Sequence, residues 1–243
     1  MGQSFFHFKH FSILQQSSGL KVTTDACLLG ALAQHPHPLN CLDIGTGTGI
    51  LALMLAQRFP QAHITAVELE KAVAEQAFYN ISQSDFEERI QILEGDALLM
   101  SYKHTFDLIV CNPPYFVNHL QRQKSEKNTA IHNASMPMEG FIQKAIKTLN
   151  PGGYLWVIYP AYEMELFQSK AHAEGLFLHQ EIKVKNKPGK EFRHICCFSQ
   201  QENVKTMAHE LLLYDDNGYK TTAFSQLMHD FYLENTEIYK RNS

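Results

Sequence analysis

The chain has 243 residues, 44% of them hydrophobic, enough for one sizeable α/β core without disulfide or metal staples. Its formal net charge of −4 gives no overall attraction for a polyanion, so any nucleic-acid contact has to come from a local patch. No run approaches the roughly 20 apolar residues of a membrane span, and Met1-Gly2-Gln3-Ser4-Phe5-Phe6-His7-Phe8 lacks the basic-then-apolar pattern of a secretory signal, so a cytoplasmic protein without membrane contact is expected. The five cysteines, Cys27, Cys41, Cys111, Cys196 and Cys197, are odd in number and show no C-x-x-C spacing; they read as reduced core thiols, and no metal site is expected.

In chain order, Thr23-Thr24-Asp25 is an N-cap signal ahead of an apolar helix over Ala26 to Ala33, which ends at the loop of Pro36 and Pro38. From there the pattern alternates: a strand at Cys41 to Ile44, a helix at Ile50 to Phe59, a strand at His63 to Val67, a helix at Glu70 to Ser82, a strand at Ile90 to Leu93. Phe106 to Cys111 is a fourth strand. Met138 to Leu149 is a helix stopped by Asn150-Pro151-Gly152-Gly153, Tyr154 to Tyr159 a fifth strand with Trp156 in the core, and about Ala161 to Ala173 a further helix. Leu176 to Val184 and Phe192 to Phe198 look like a longer antiparallel pair around Asn186-Lys187-Pro188-Gly189. Strands alternating with helices predict a doubly wound parallel sheet, whose ligands sit beyond the carboxyl ends of the strands where strand order reverses.

Four groups of residues fall at strand ends. Asp43-Ile44-Gly45-Thr46-Gly47-Thr48-Gly49 joins the first strand to its helix, with glycines that let a ligand lie against bare backbone. Ile50 stands where the dinucleotide fingerprint has its third glycine, which weakens a nicotinamide reading, and the absence of a following Lys excludes a P-loop. Glu68, ending the second strand, is positioned to accept both ribose hydroxyls of a nucleoside; a surface Glu opening a helix is the competing reading. Asp96, after the third strand, is either a helix cap or an acceptor for an exocyclic adenine amine. Asn112-Pro113-Pro114-Tyr115 ends the fourth strand. The Asn112 side-chain oxygen and the Pro113 carbonyl can accept the two hydrogens of a planar amino group, the prolines stiffen the loop, and Tyr115 offers a stacking face. An ordinary strand-ending turn is the competing reading of these four residues alone. Lys183, Lys185, Lys187, Lys190 and Arg193, with Glu191 the only acid among them, form a basic segment that either contacts phosphates or is merely solvated.

The ordered set of Asp43 to Gly49, Glu68, Asp96 and Asn112 to Tyr115 resembles the class I S-adenosyl-L-methionine-dependent methyltransferases, in the branch whose N-P-P-Y methylates planar amino groups. The opening Phe6-His7-Phe8-Lys9-His10-Phe11-Ser12-Ile13 and Lys21 to Gly30, with the closing Tyr214 to Lys220 and Asp230-Phe231-Tyr232-Leu233, is similar to the bacterial valine-tRNA adenosine-37 N6-methyltransferases over nearly the whole chain. That resemblance implies a Rossmann-like, seven-stranded, mostly parallel sheet whose last strand is antiparallel, divided into an N-terminal extension with a lead-in helix (1–38) and a methyltransferase domain (39–243). It implies S-adenosyl-L-methionine held by Asp43, Gly45, Thr46, Gly47, Gly49, Glu68, Asp96 and Asn112, with Thr24 and Asp25 from the opening segment. Asn112, Pro113, Pro114 and Tyr115 would be the catalytic set, and Asn112, Tyr115, Phe116, Lys183, Lys185, Lys187, Lys190 and Arg193 would meet a tRNA. No stable protein partner is implied, and a monomer is expected. Where the family carries an Arg-His-Glu cluster after the N-P-P-Y loop, this chain has Ile131-His132-Asn133, so His132 receives no role.

The rivals are methylation of a glutamine carboxamide in a protein, disfavoured because only 42 residues precede Asp43 and leave no room for a dedicated helical domain, and methylation of DNA adenine, disfavoured by the lack of a target-recognition domain. A nucleotide-binding protein without catalysis is opposed by the retention of Asn112, Pro113 and Tyr115.

Overall fold

The computed structural model describes residues 4–15, 21–113, 136–202 and 205–233. A two-stranded antiparallel hairpin, β1 (Ser4–His7) and β2 (Ser12–Gln15), comes first, followed by helix α1 (Thr24–Leu32), whose N-cap Thr23 accepts from the Ala26 amide. The alternating region is β3 (Asn40–Ile44), α2 (Ile50–Arg58), β4 (His63–Glu68), α3 (Lys71–Ser82), β5 (Ile90–Glu94), β6 (Phe106–Cys111), α4 (Met138–Thr148), β7 (Leu149–Tyr159) and α5 (Ala161–Ala173). Then come β8 (Phe177–Lys187), β9 (Lys190–Ser199), β10 (Met207–Leu212) and α6 (Thr222–Met228).

The main sheet runs β10-β8-β9-β7-β6-β3-β4-β5. All neighbours are parallel except β9, which is antiparallel to both β7 and β8. The expected doubly wound, mostly parallel sheet is therefore present, with one correction. Among the described residues it has eight strands rather than seven, and the antiparallel strand is not the last, because Met207–Leu212 adds to the edge of β8 and runs parallel to it. An edge strand exposed over most of its length carries no alternating apolar pattern to announce it. The same holds for β1, which is mostly exposed, and for the seven-residue α6, neither of which the residue pattern signalled.

Period-2 alternation divides each central strand between two cores. Cys41, Leu108 and Val110 face α1 and α2, whereas Leu42, Ile44, Ile109 and Cys111 face α4 and α5. Phe8, Phe11 and Ile13 from the N-terminal hairpin enter the first of these cores, together with Phe224 and Met228 of α6. All five cysteines are buried and unbridged, and Trp156 is a core residue whose indole N–H donates to the Gln34 carbonyl at 3.0 Å. At the amino end of the sheet, Asp107 accepts from the Leu39 and Asn40 amides and from the Asn150 side chain, tying the start of β3 to β6 and β7. Among the described residues no helix is long and apolar enough to cross a membrane.

Candidate active site

Sheet register gathers the motif residues into one row. Ile44 pairs with Cys111 and with Val67, and Glu68 pairs with Glu94. In the order Asn112, Gly45, Glu68 and Gly95 they consequently emerge side by side from β6, β3, β4 and β5, each one strand spacing of ~4.8 Å from the next. The order β6-β3-β4-β5 also makes the β3/β6 boundary the point where the winding reverses, which is where a doubly wound sheet leaves an open crevice.

The glycine loop is built for close approach. Gly45, Gly47 and Gly49 have φ of 72°, 58° and 84°, a region in which side chains are strained, and a Cβ added at Gly45 or Gly47 would meet nothing within 4 Å. Among the described residues, the space at Gly45 and Gly47 is therefore open and bounded by backbone. Asp43, fully buried beneath it, accepts from the Thr46 hydroxyl at 2.5 Å through Oδ2, while its Oδ1 has no hydrogen-bond partner among the described residues. Burial pushes this carboxyl up to about 7, Glu68 adds to the rise, and the Thr46 hydroxyl and the nearby Ala52 amide pull against it.

Glu68 crosses from β4 to the loop: Oε2 accepts from the Gly47 amide at 2.9 Å and Oε1 from the Glu70 amide at 3.1 Å. Two amides fix the orientation of the carboxylate and leave lone pairs for hydroxyl donors, since a carboxylate offers about four acceptor sites. Asp96 closes a turn on the rim through Oδ1, which accepts from the Leu98 amide at 2.8 Å.

Asn112 is half-buried and Pro113 buried directly after β6. Pro114, Tyr115 and Phe116, like Ile131, His132 and Asn133, lie outside the described residues. Thr24 and Asp25 open α1 at the same end of the sheet, but over β9: the Arg193 Nε donates to Asp25 Oδ2 at 2.8 Å. The basic segment divides in the same way. Lys183 approaches Glu181 at 3.8 Å, Lys185 pairs with Glu210 at 2.7 Å, and Lys187 and Lys190 flank the exposed turn between β8 and β9.

Two buried polar residues escaped the sequence reading. Asn80 and Gln76, one turn apart on the packed face of α3, both reach the N-terminal hairpin, and Asn80 also reaches the glycine loop. Their signal was polarity at i and i+4 among the apolar positions Ala77 and Ile81, a pattern that marks a buried network.

Known proteins share both the architecture and the sequence. The Methyltransferase small domain matches residues 21–166, and a DNA methylase family matches residues 106–243. A Vibrio vulnificus protein named tRNA1(Val) (adenine(37)-N6)-methyltransferase is 39% identical over 229 residues, covering 94% of this chain and 95% of its own. A Histophilus somni protein of the same name is 38% identical, covering 94% and 97%. The chain belongs to the tRNA1(Val) (adenine(37)-N6)-methyltransferase family. Among solved structures, a predicted O-methyltransferase from Agrobacterium tumefaciens superposes with a TM-score of 0.67 at 20% identity, covering 85% of this chain and 96% of that one, and a Pyrococcus furiosus methyltransferase with 0.57 at 22%, covering 78% and 89%; both likenesses concern the fold.

The chain is an S-adenosyl-L-methionine-dependent methyltransferase, and its residues fit that donor. The open glycine cradle leaves room for a ligand against the backbone, and the oriented Glu68 carboxylate lies beside the cradle. The raised pKa and unpartnered Oδ1 of Asp43 mark a site held at some cost to folding, as functional sites are.

Proposed function

We propose that this enzyme methylates the exocyclic N6 of adenosine 37 in tRNA1(Val), with Asn112 and Pro113 holding the amino group. The observation that carries this reading is the Ile44–Cys111 register, which sets the amine-holding residues one strand from the donor loop; the names of the Vibrio and Histophilus relatives support the substrate.

Bound S-adenosyl-L-methionine supplies an electrophilic methyl group. The chain's own part is positioning. Glu68 and the glycine loop hold the nucleoside, Asp43 and Thr46 hold the loop, and the Asn112 oxygen and Pro113 carbonyl each accept one N–H of the adenine amine. The nitrogen lone pair, otherwise drawn into the ring, is thereby turned out of the base plane toward the donor. Both hydrogen bonds strengthen as positive charge grows on nitrogen, which favours the transition state over bound substrate. Oriented proximity contributes up to about 7–11 kcal/mol to such a transfer. Tyr115 is assigned the face on which the unstacked base rests, offsetting part of the few kcal/mol that extrusion costs. The reading takes 39–243 as the catalytic domain and the enzyme as a cytoplasmic monomer.

Labelled S-adenosyl-L-methionine tests the assignment when incubated separately with tRNA1(Val), a transcript of it with guanosine in place of the target adenosine, duplex DNA and release-factor protein. Label is expected on tRNA1(Val) and not on the guanosine transcript. The DNA methylase match over residues 106–243 supports DNA adenine as a second reading, and label on DNA alone would select it.

A further inference from the structure

The carboxyl rim carries a second concavity, beside the basic turn and away from the glycine loop. Leu213 donates its amide to the Lys185 carbonyl at 2.9 Å, so the chain leaving β10 turns on the rim next to β8. Tyr214 then bridges to Lys220, Lys9 donates to the Phe231 carbonyl, and Phe8 bridges to Tyr232, closing the last described segment onto the N-terminal hairpin. Between these parts lies a cavity of about 410 Å³, within the roughly 300–1,000 Å³ of small-molecule sites. Its walls include Phe5, Thr24, Tyr214, Lys220, Phe224 and Tyr232.

Three features give this cavity a chemical character. It is aromatic, and Phe5 in its wall is 39% exposed as a residue. It contains a cation, since the Lys220 Nζ sits 5.2 Å from the Tyr232 ring centroid, and no carboxylate is among its described lining residues. It shares Lys220, Phe224 and Tyr232 with a smaller groove that is also lined by Lys9. Ring faces beside a cation are the combination by which proteins hold single-stranded nucleic acid: the base stacks and the phosphate is neutralised. Position fits as well. Thr24 adjoins Asp25, which is anchored over β9, and Tyr214 follows β10, so the cavity is displaced from Asn112 by two to four strands, about 10–19 Å measured across the strands alone.

We propose that this cavity is a second base-binding subsite, in which an unpaired base a few nucleotides from the methylated adenosine stacks against Phe5 and Tyr214 while Lys220 holds its phosphate. The proposal rests on the tRNA reading above and adds to it where the RNA chain runs: from the basic turn, across β10, toward the N-terminal hairpin.

The test uses Lys220→Ala and Phe5→Ala in the full chain, with tRNA1(Val) and a series of anticodon-arm RNAs carrying one abasic position near the target adenosine. Each variant is expected to raise the tRNA Kd roughly tenfold, the order of one lost stack or phosphate contact, with kcat at saturating tRNA, donor affinity and thermal midpoint unchanged. Lys220→Ala should also lower the slope of log Kd against log salt by about one. At one abasic position the wild type should weaken to the level of Phe5→Ala, and Phe5→Ala should not weaken further. Variants that bind and methylate tRNA like the wild type, or that lose affinity equally at every abasic position, overturn the subsite alone. A wild-type enzyme that neither binds nor methylates tRNA overturns the tRNA reading and the subsite with it.

Discussion

The Asn80 side-chain amide donates to the Thr48 carbonyl at 2.8 Å, tying the last turn of α3 to the glycine loop. The oxygen of the same amide accepts from the Leu14 amide at 2.8 Å, and Gln76 donates to the Leu14 carbonyl at 2.6 Å. One buried side chain therefore connects the N-terminal hairpin, a helix and the glycine loop.

Asn80→Ala strands a buried N–H and a buried C=O, at a cost of about 1–3 kcal/mol each. The variant should show a lowered thermal midpoint and weaker S-adenosyl-L-methionine binding by calorimetry. Asn80→Asp keeps an acceptor for Leu14 but loses the donor to Thr48 and buries a charge against that carbonyl, so its midpoint and its donor affinity should both fall. Unchanged donor affinity in both variants would reduce Asn80 to a packing residue.

Asn112→Ala removes one of the two acceptors proposed for the amine. Turnover should fall by roughly 10²–10³, the range for losing one charge-stabilising contact, while donor affinity stays within a few fold. Methyl incorporation and calorimetry on the same preparation check this; parallel loss of both would show that Asn112 serves donor binding instead.

The Asp43 carboxyl has its pKa raised from 3.8 to about 7 by burial, which makes stability depend on pH. Between those values the folded protein retains a proton that the unfolded chain releases, so stability falls as pH rises through the window and levels off above it. Asp43→Asn removes the penalty. In donor-free chemical denaturation the variant should gain on the wild type from pH 5 to 8, by up to a few kcal/mol at about 1.36 kcal/mol per pH unit. A stability difference that is flat across that range would refute the raised pKa.

Lys187 and Lys190 are exposed beside the β8–β9 turn, whereas Arg193 is engaged by Asp25. Lys187→Glu with Lys190→Glu should weaken tRNA binding and reduce its salt dependence by about one to two phosphate contacts, with an unchanged thermal midpoint. Arg193→Ala should instead lower the midpoint, because it leaves the buried Asp25 carboxylate without this partner. An unchanged tRNA affinity in the double reversal would remove the turn from the RNA path.

The residues alone disclosed the repeating strand and helix order, because Cys41 to Ile44, His63 to Val67 and Phe106 to Cys111 are apolar runs that only burial accommodates, and because glycine and proline chemistry acts locally at Gly45 to Gly49 and at Asn112-Pro113. Each of these signals depends on a few neighbouring residues. Only the tertiary structure decided what depends on separation in sequence: that Met207–Leu212 joins the edge of β8, that Arg193 turns from the basic segment to Asp25, and that Asn80 spans from Leu14 to Thr48. Partners 168 and 66 residues apart leave no periodic trace in the chain, because they meet through the packing of whole elements rather than through the conformation of any one segment.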